Sequence, residues 1–432
     1  MKFKSIQFSV AFLAGASVLA VVVALVLYAL FASGRTQNLV QQRTQALLEQ
    51  VIEQRLYALA LAQASEIQRE LEAPLLITAD LARVNAMLGM TDDKGSPLLS
   101  ISREELANLV HETTAQNPKL LGSYLGWEPN AFDASDDIYA GSQENGYDGT
   151  GRFLPWWYRN ADGSLGIDAI GSMESEKLLP TGVREGEYYL CAKERKRPCV
   201  IDPAPYDVGG KMTMLASFTS PILVNGEFRG IAGADLAVNF IQDLLVKADT
   251  QLYGGAGEIA LIASNGRLVG STKAPDKLGE PATVLLDANE VANLGKLQPG
   301  QPLYSVDAQD DPEHSHIELF LSFNIGQSDT RWVLMLVLPL KAVMADLYQL
   351  QADLAAQREG DTLGMTLVGL LIAGLGLLVI WFVGYGIARP LRQMVGMLDD
   401  IAKGDGDLTV RLKVERKDEL GQIAAGFKAY LS

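Results

Sequence analysis

The sequence predicts an α+β chain in which two stacked α+β modules sit on one long stalk helix, between two transmembrane helices, with a helical coiled coil at the C-terminal end. Three observations carry this. Residues 10–32 and 365–388 are apolar and carry no charge. From 37 to about 88 apolar residues recur at spacings of three and four, and from about Pro118 the pattern changes to short strands and turns. After Arg389-Pro390 the three-four spacing returns.

Composition narrows the function. A chain of 432 residues has room for two or three domains. The formal net charge of −16 argues against a nucleic-acid partner, because phosphate binding needs a basic patch. Hydrophobic residues make up 48% of the chain, which fits membrane segments. The 2 cysteines cannot build a four-thiolate metal site, and the 3 histidines, His111, His314 and His316, are scattered. No metal and no cofactor is therefore expected; His314-Ser-His316 is the one pair that a metal could use.

Each span follows from length and flanks. About 20 apolar residues cross the roughly 30 Å hydrocarbon core as a helix. Lys2 and Lys4 precede the first span and place residues 1–9 in the cytoplasm. The alternative is a cleaved signal peptide; the length of the apolar run and the helix that follows favour an uncleaved anchor. Arg389, Arg392 and Lys403 follow the second span and fit a cytoplasmic exit. Gly369, Gly374, Gly376, Gly384 and Gly386 allow close helix packing there. Residues 33–364 then lie outside, where Cys191 and Cys199 can pair; two free buried thiols are the alternative.

Within that segment the stalk helix covers 37–88, the membrane-distal module about 90–248 and the proximal module about 249–340. Strands are expected at 120–127, 153–158, 188–191 and 199–202, with a loop carrying Asp168 and Glu174 between the second and third. Asn225-Gly226 between two alternating runs signals a hairpin, as does Asn265-Gly266. Residues 239–247 and 284–294 read as helices, 315–324 and 331–338 as strands, and 340–357 as the helix leading to the second span. Residues 151–160 hold three consecutive aromatics, Trp156, Trp157 and Tyr158, in a chain with 5 Trp. Such rings either enclose a ligand or fill a core.

The C-terminal helices place Leu391, Met394, Leu398 and Ile401 on one seam and Leu420, Ile423, Phe427 and Tyr430 on another. Two short seams joined by a Gly/Asp-rich connector need a second copy to cover them, which predicts a homodimer. The alternative is a pair of juxtamembrane surface helices. Pro390, this connector and Lys417-Asp418-Glu419-Leu420-Gly421 resemble the HAMP domain of methyl-accepting chemotaxis proteins, here spanning 389–432. Residues 37–340 resemble a double Cache sensor, a pair of stacked PAS-like modules. The resemblance implies an inner-membrane chemoreceptor, non-enzymatic, with a periplasmic sensor whose distal module binds a small molecule. It also implies a chemotaxis kinase and adaptor as partners if a signalling domain follows residue 432. HAMP domains precede histidine kinases and diguanylate cyclases too, so those outputs are the alternatives.

The resemblance also bears on the ligand. Amino-acid receptors of this family carry an Arg two positions before an aromatic pair, then a Tyr, then an Asp on a late strand. Trp156-Trp157, Tyr206 and Asp235 match, but the Arg position holds Leu154. Arg152 shares a strand face with it and is the candidate substitute. Without that Arg, an amino-acid carboxylate would be buried unpaired. The remaining rings and acids suit a cation, and Asp207, Glu128 and Asp168 are further candidate acids. Tyr124-Leu-Gly-Trp-Glu-Pro-Asn-Ala-Phe, Cys191 with Cys199, and Asp202-Pro203 resemble the Cache receptors for polyamines and biogenic amines. The site expected on that basis pairs ammonium groups with Asp235 and Asp202 inside a cage of Tyr124, Trp156, Trp157 and Tyr206. Asp202 and Asp207 capping a turn, and Tyr124 and Tyr189 as core, are the plainer readings. An L-amino-acid receptor clamped by Arg152 is the second hypothesis. A hydrolytic enzyme finds no nucleophile–base motif or phosphate loop in the sequence.

Overall fold

A computed structural model describes residues 6–307, 315–402, 421–423 and 425–426. The chain divides into two compact units, residues 50–345 and the two flanking segments, 1–49 with 346–432.

Helix α1, Ile6–Ala86, runs through both units. In the larger unit Ala60, Ala64, Ile67, Leu71 and Leu75 are buried, a three-four stripe facing the sheets. Each large aliphatic side chain so buried contributes about 2 kcal/mol. Helix α2, Arg103–Gln116, starts from a capping box in which Ser102 and Glu105 satisfy each other's backbone N–H groups. It buries Leu106, Val110 and Thr114 at a spacing of four. This helix was not anticipated from the sequence, although the Ser-x-x-Glu signal stands at its start.

The distal module is a six-stranded antiparallel sheet in the order β3-β2-β1-β6-β5-β4. Its strands are β1 Gly122–Trp127, β2 Pro155–Arg159, β3 Leu165–Ala169, β4 Cys199–Val208, β5 Lys211–Val224 and β6 Glu227–Ala237. Asn225 and Gly226 both take positive φ, 52° and 83°, which is the turn that a two-residue hairpin requires. Two expectations need correction. Residues 188–191 are not a strand but belong to helix α3, Glu187–Arg195. The aromatic run Tyr-Tyr-Leu suggests a strand, but the following Ala-Lys-Glu-Arg continues a helix that ends on Lys196 in the left-handed region. Asp168 lies on β3 rather than in a loop.

Cys191 on α3 and Cys199 on β4 are bonded, with Cα atoms 6.3 Å apart. The bridge ties α3 to the sheet across a short loop. Replacing both cysteines by Ser is expected to cost the distal module about 2–3 kcal/mol, read as a lower midpoint in chemical denaturation.

Helix α4, Val238–Gln251, leads into the proximal module, a five-stranded antiparallel sheet ordered β8-β7-β11-β10-β9. These strands are β7 Glu258–Ile262, β8 Leu268–Ser271, β9 Pro302–Asp307, β10 His316–Asn324 and β11 Arg331–Pro339. Strand β9 escaped the sequence reading; its residues are mostly exposed and give no alternation. The helix read at 284–294 is shorter, α5 Ala288–Leu294, because Asp287 caps it. A short helix α6, Leu340–Val343, ends the larger unit.

In the smaller unit the N-terminal part of α1 packs beside α7, Ala345–Ala402. A Cβ at Gly369 would lie 2.8 Å from Val26, at Gly376 3.1 Å from Val18, and at Gly15 2.9 Å from Leu377. Rising numbers on α1 meet falling numbers on α7, so the two helices are antiparallel. Both are long and apolar enough to cross a membrane. His314, the Gly/Asp-rich connector and Leu420, Phe427 and Tyr430 of the last seam lie outside the described residues.

Candidate functional site

A cavity of about 500 Å³ opens in the distal module, walled by strands β1 to β6, by α3 and by the segment joining β3 to α3. Four of the six expected ligand residues line it: Tyr124, Trp156, Tyr206 and Asp235. Asp168 and Asp207 also line it, and so do Lys177, Glu185, Tyr188 and Ser217, which sequence reasoning missed.

Register explains the convergence. Gly122 on β1 pairs with Asp235 on β6 on one side and with Tyr158 on β2 on the other. A Cβ at Gly122 would lie 2.9 Å from the Trp156 Nε1, so glycine leaves that indole room beside Asp235. Tyr124 lies across Gly233, where a Cβ would come within 2.0 Å of its ring. Ser217 sits opposite Asp235 on β5 and donates its hydroxyl to the carboxylate at 2.6 Å.

Asp235 is 3% exposed. Burial pushes its carboxyl up to about 7, against the opposing pull of the Ser217 hydroxyl and the nearby Trp156 N–H. That indole N–H does not complete a well-formed bond. Trp156 Nε1, Tyr124 Oη and Tyr206 Oη are all buried without a hydrogen-bond partner among the described residues. A buried polar group left unpaired costs about 1–3 kcal/mol, and three of them gather at one cavity. Burial also raises the Tyr124, Tyr188 and Tyr206 hydroxyls, so these stay protonated donors. Tyr188 packs edge-on against Tyr124 and Tyr206, with ring centres 5.8 and 6.1 Å apart, and its hydroxyl donates to the Gly171 carbonyl.

The remaining expected residues lie elsewhere. Trp157 points to the opposite face of β2, where its ring meets His111 edge-on at 4.6 Å under α2. Strand alternation sends neighbours to opposite faces, so Trp156 and Trp157 cannot share one cage. Asp202 does not line the cavity. Its carboxylate accepts from Ser264 Oγ, from the Ser264 and Asn265 backbone and from Trp332 Nε1 at the seam with the proximal module. Glu128 accepts from Tyr189 and Lys193, away from the cavity. Leu154 is 3% exposed and packs in the same cluster as Tyr124 and Tyr188. The Arg152 guanidinium is committed to Glu174 at 2.6 Å and to the Trp127 carbonyl, and it does not line the cavity.

The lining therefore holds the carboxylates of Asp168, Glu185, Asp207 and Asp235 against one cation, Lys177, with no arginine among the described residues. Four aromatic rings complete it. The arrangement places ring faces around a buried carboxyl, Asp235, at the inner end of the cavity.

The fold is a two-module α+β domain of the double Cache type, carried on a helical stalk. The HAMP domain family matches residues 382–431. Over 99% of its length the chain is 29% identical to the methyl-accepting chemotaxis protein TlpQ of Pseudomonas aeruginosa, and it spans 59% of that relative. Among solved structures, the extracellular domain of a protein described as a histidine kinase, mmHK1S-Z2, matches 68% of this chain and 99% of its own, with TM-score 0.52 and 24% identity. Methyl-accepting chemotaxis protein X matches 67% of this chain and 99% of its own, with TM-score 0.51 and 19% identity. The structural likenesses establish the fold.

Proposed function

We propose that the chain is the sensor and HAMP portion of a transmembrane chemoreceptor that binds a small amine, a polyamine or biogenic amine, in the distal cavity. One observation carries the ligand class: a buried carboxylate, Asp235, sits among rings and further acids in a cavity that, among the described residues, has no arginine to take a ligand carboxylate. The chain-long likeness to a chemotaxis receptor supports the rest: signalling through HAMP to a cytoplasmic output, homodimers, and a chemotaxis kinase and adaptor as partners. An inner-membrane location with a periplasmic sensor is supported by the two apolar helices. Only 6% of the stretch Phe12–Ala29 and 17% of the Ala345–Gly396 window is buried in the protein, unlike the core helix of a soluble domain. The Cys191–Cys199 bridge supports an oxidising compartment for the sensor.

A thermal-shift screen of the purified chain against amines and L-amino acids tests this reading. Amines are expected to raise the melting temperature and ordinary L-amino acids to leave it unchanged; the reverse pattern would sink the proposal. Arg152→Ala separates the two ligand classes in the same assay. It is expected to leave amine affinity within about twofold while lowering stability, because Glu174 and the Trp127 carbonyl lose their donor. An amino-acid site clamped by Arg152 loses binding altogether.

A further inference from the structure

The turn between β7 and β8 is gripped from two sides by segments that wall the distal cavity. On one side stands β4, whose Tyr206 and Asp207 line the cavity. The same strand carries Asp202 at a register shift between Ile201 and Ala204. Asp202 is 8% exposed and accepts four hydrogen bonds from the proximal module. Ser264 Oγ donates at 2.5 Å, the Ser264 and Asn265 amides at 3.3 and 3.0 Å, and Trp332 Nε1 at 2.8 Å. On the other side runs the β3–α3 segment, which brings Lys177, Leu179 and Glu185 to the cavity. Its Pro180 and Thr181 carbonyls accept from Arg267 at 3.2 Å and Asn265 at 3.4 Å. Trp332 lies near the start of β11, which pairs with β7 and β10 and passes directly into α6.

We propose that Asp202 is the positioning residue that couples the distal cavity to the proximal module, by locking β4 to the β7–β8 turn and to the head of β11. The inference rests on the reading of that cavity as the ligand site. A buried carboxylate is costly unless its geometry is fully satisfied, and here every donor comes from across the seam. Close-packed interiors pass small shifts on rather than absorb them. A displacement of β4 or of the β3–α3 segment by a ligand therefore reaches Trp332 through short, buried bonds. The charge at Asp202 serves this seam and not the ligand, which accounts for an acid within an apolar strand outside the cavity.

The test supplies occupancy without a free ligand. Met212 lines the cavity and is 63% exposed, and both native cysteines are tied in the bridge. Met212→Cys in the full chain, held in lipid nanodiscs and modified with aminoethyl methanethiosulfonate, places a tethered ammonium there. Hydrogen exchange is then read at the cavity segments, residues 171–185 and 204–208, and at the proximal segments, residues 264–267 and 332–339. Modification is expected to slow exchange at least about threefold in all four segments. With Asp202→Asn added, the cavity segments are expected to respond as before and the proximal ones to stay silent. Ser264→Ala, at an exposed turn, is the milder variant and is expected to weaken the proximal response. Proximal segments that respond fully in both variants, or stay silent in the parent while the cavity responds, overturn the proposal. If the cavity itself does not respond, the ammonium reading of the site and the coupling both fall. A chain that passes here yet binds no free amine keeps the coupling and loses the amine ligand.

Discussion

Asp235→Asn is expected to weaken amine binding by more than about 100-fold while making the ligand-free protein more stable at neutral pH. The two effects have one cause. Asp235 is buried, and burial raises its carboxyl to about 7. The unfolded chain releases that proton near pH 4, so between about pH 4 and pH 7 the folded state holds the extra proton. Stability from this group is therefore greatest at acid pH and falls as pH rises through that window, by a few kcal/mol in total. Asparagine keeps the shape and can still meet the Ser217 hydroxyl, but it carries no charge to bury. Its melting temperature should lose the corresponding slope. A merely structural Asp235 would show a destabilised variant instead. Thermal melts across pH with parallel amine titrations distinguish the outcomes.

Arg103→Ala is expected to cost the distal module about 3–5 kcal/mol. Arg103 is 3% exposed at the start of α2. Its guanidinium holds Asp133 at 2.5 Å, Asp136 at 2.7 Å and the Gly151 carbonyl at 3.0 Å, and it lies 4.5 Å from the Tyr139 ring centre. It thereby pins the long connection from β1 to β2, the strand that presents Trp156. Removing it leaves the buried Asp136 without its cation. The Arg103 hydrogen bond also holds the Asp133 carboxyl below its ordinary range. The stability this adds is present above the usual carboxylate pKa and is lost as pH falls toward the depressed value, and that acid-side loss should vanish in the variant. Urea denaturation at neutral and acid pH checks both.

Much of this was open to sequence reasoning where the signal is local. The stripe on α1, the Asn225-Gly226 turn and the acid inside the apolar β6 each follow from spacing or residue type. The same logic flags Asp202, an acid in an apolar strand, but cannot say which partners satisfy it. They come from Ser264 and Trp332, far along the chain in the other module. Trp157 was separable from Trp156 by strand alternation alone. Tyr188 was obscured because its neighbours look like a strand, while its position over the cavity depends on α3 being a helix. Arg152 shows the limit most plainly, since its proximity to Leu154 in sequence says nothing of the Glu174 that takes its charge.

An ammonium group that binds beside Asp235 is expected to displace the proton that burial holds there. Calorimetric titration of the purified chain with putrescine, at pH 6 and pH 8 in two buffers of different ionisation enthalpy, measures this directly. Binding about tenfold tighter at pH 8, with about one proton released per amine at pH 6, is the expected result. Uptake of ordinary L-amino acids with no response to putrescine or histamine, or amine binding that releases no proton at pH 6, contradicts it.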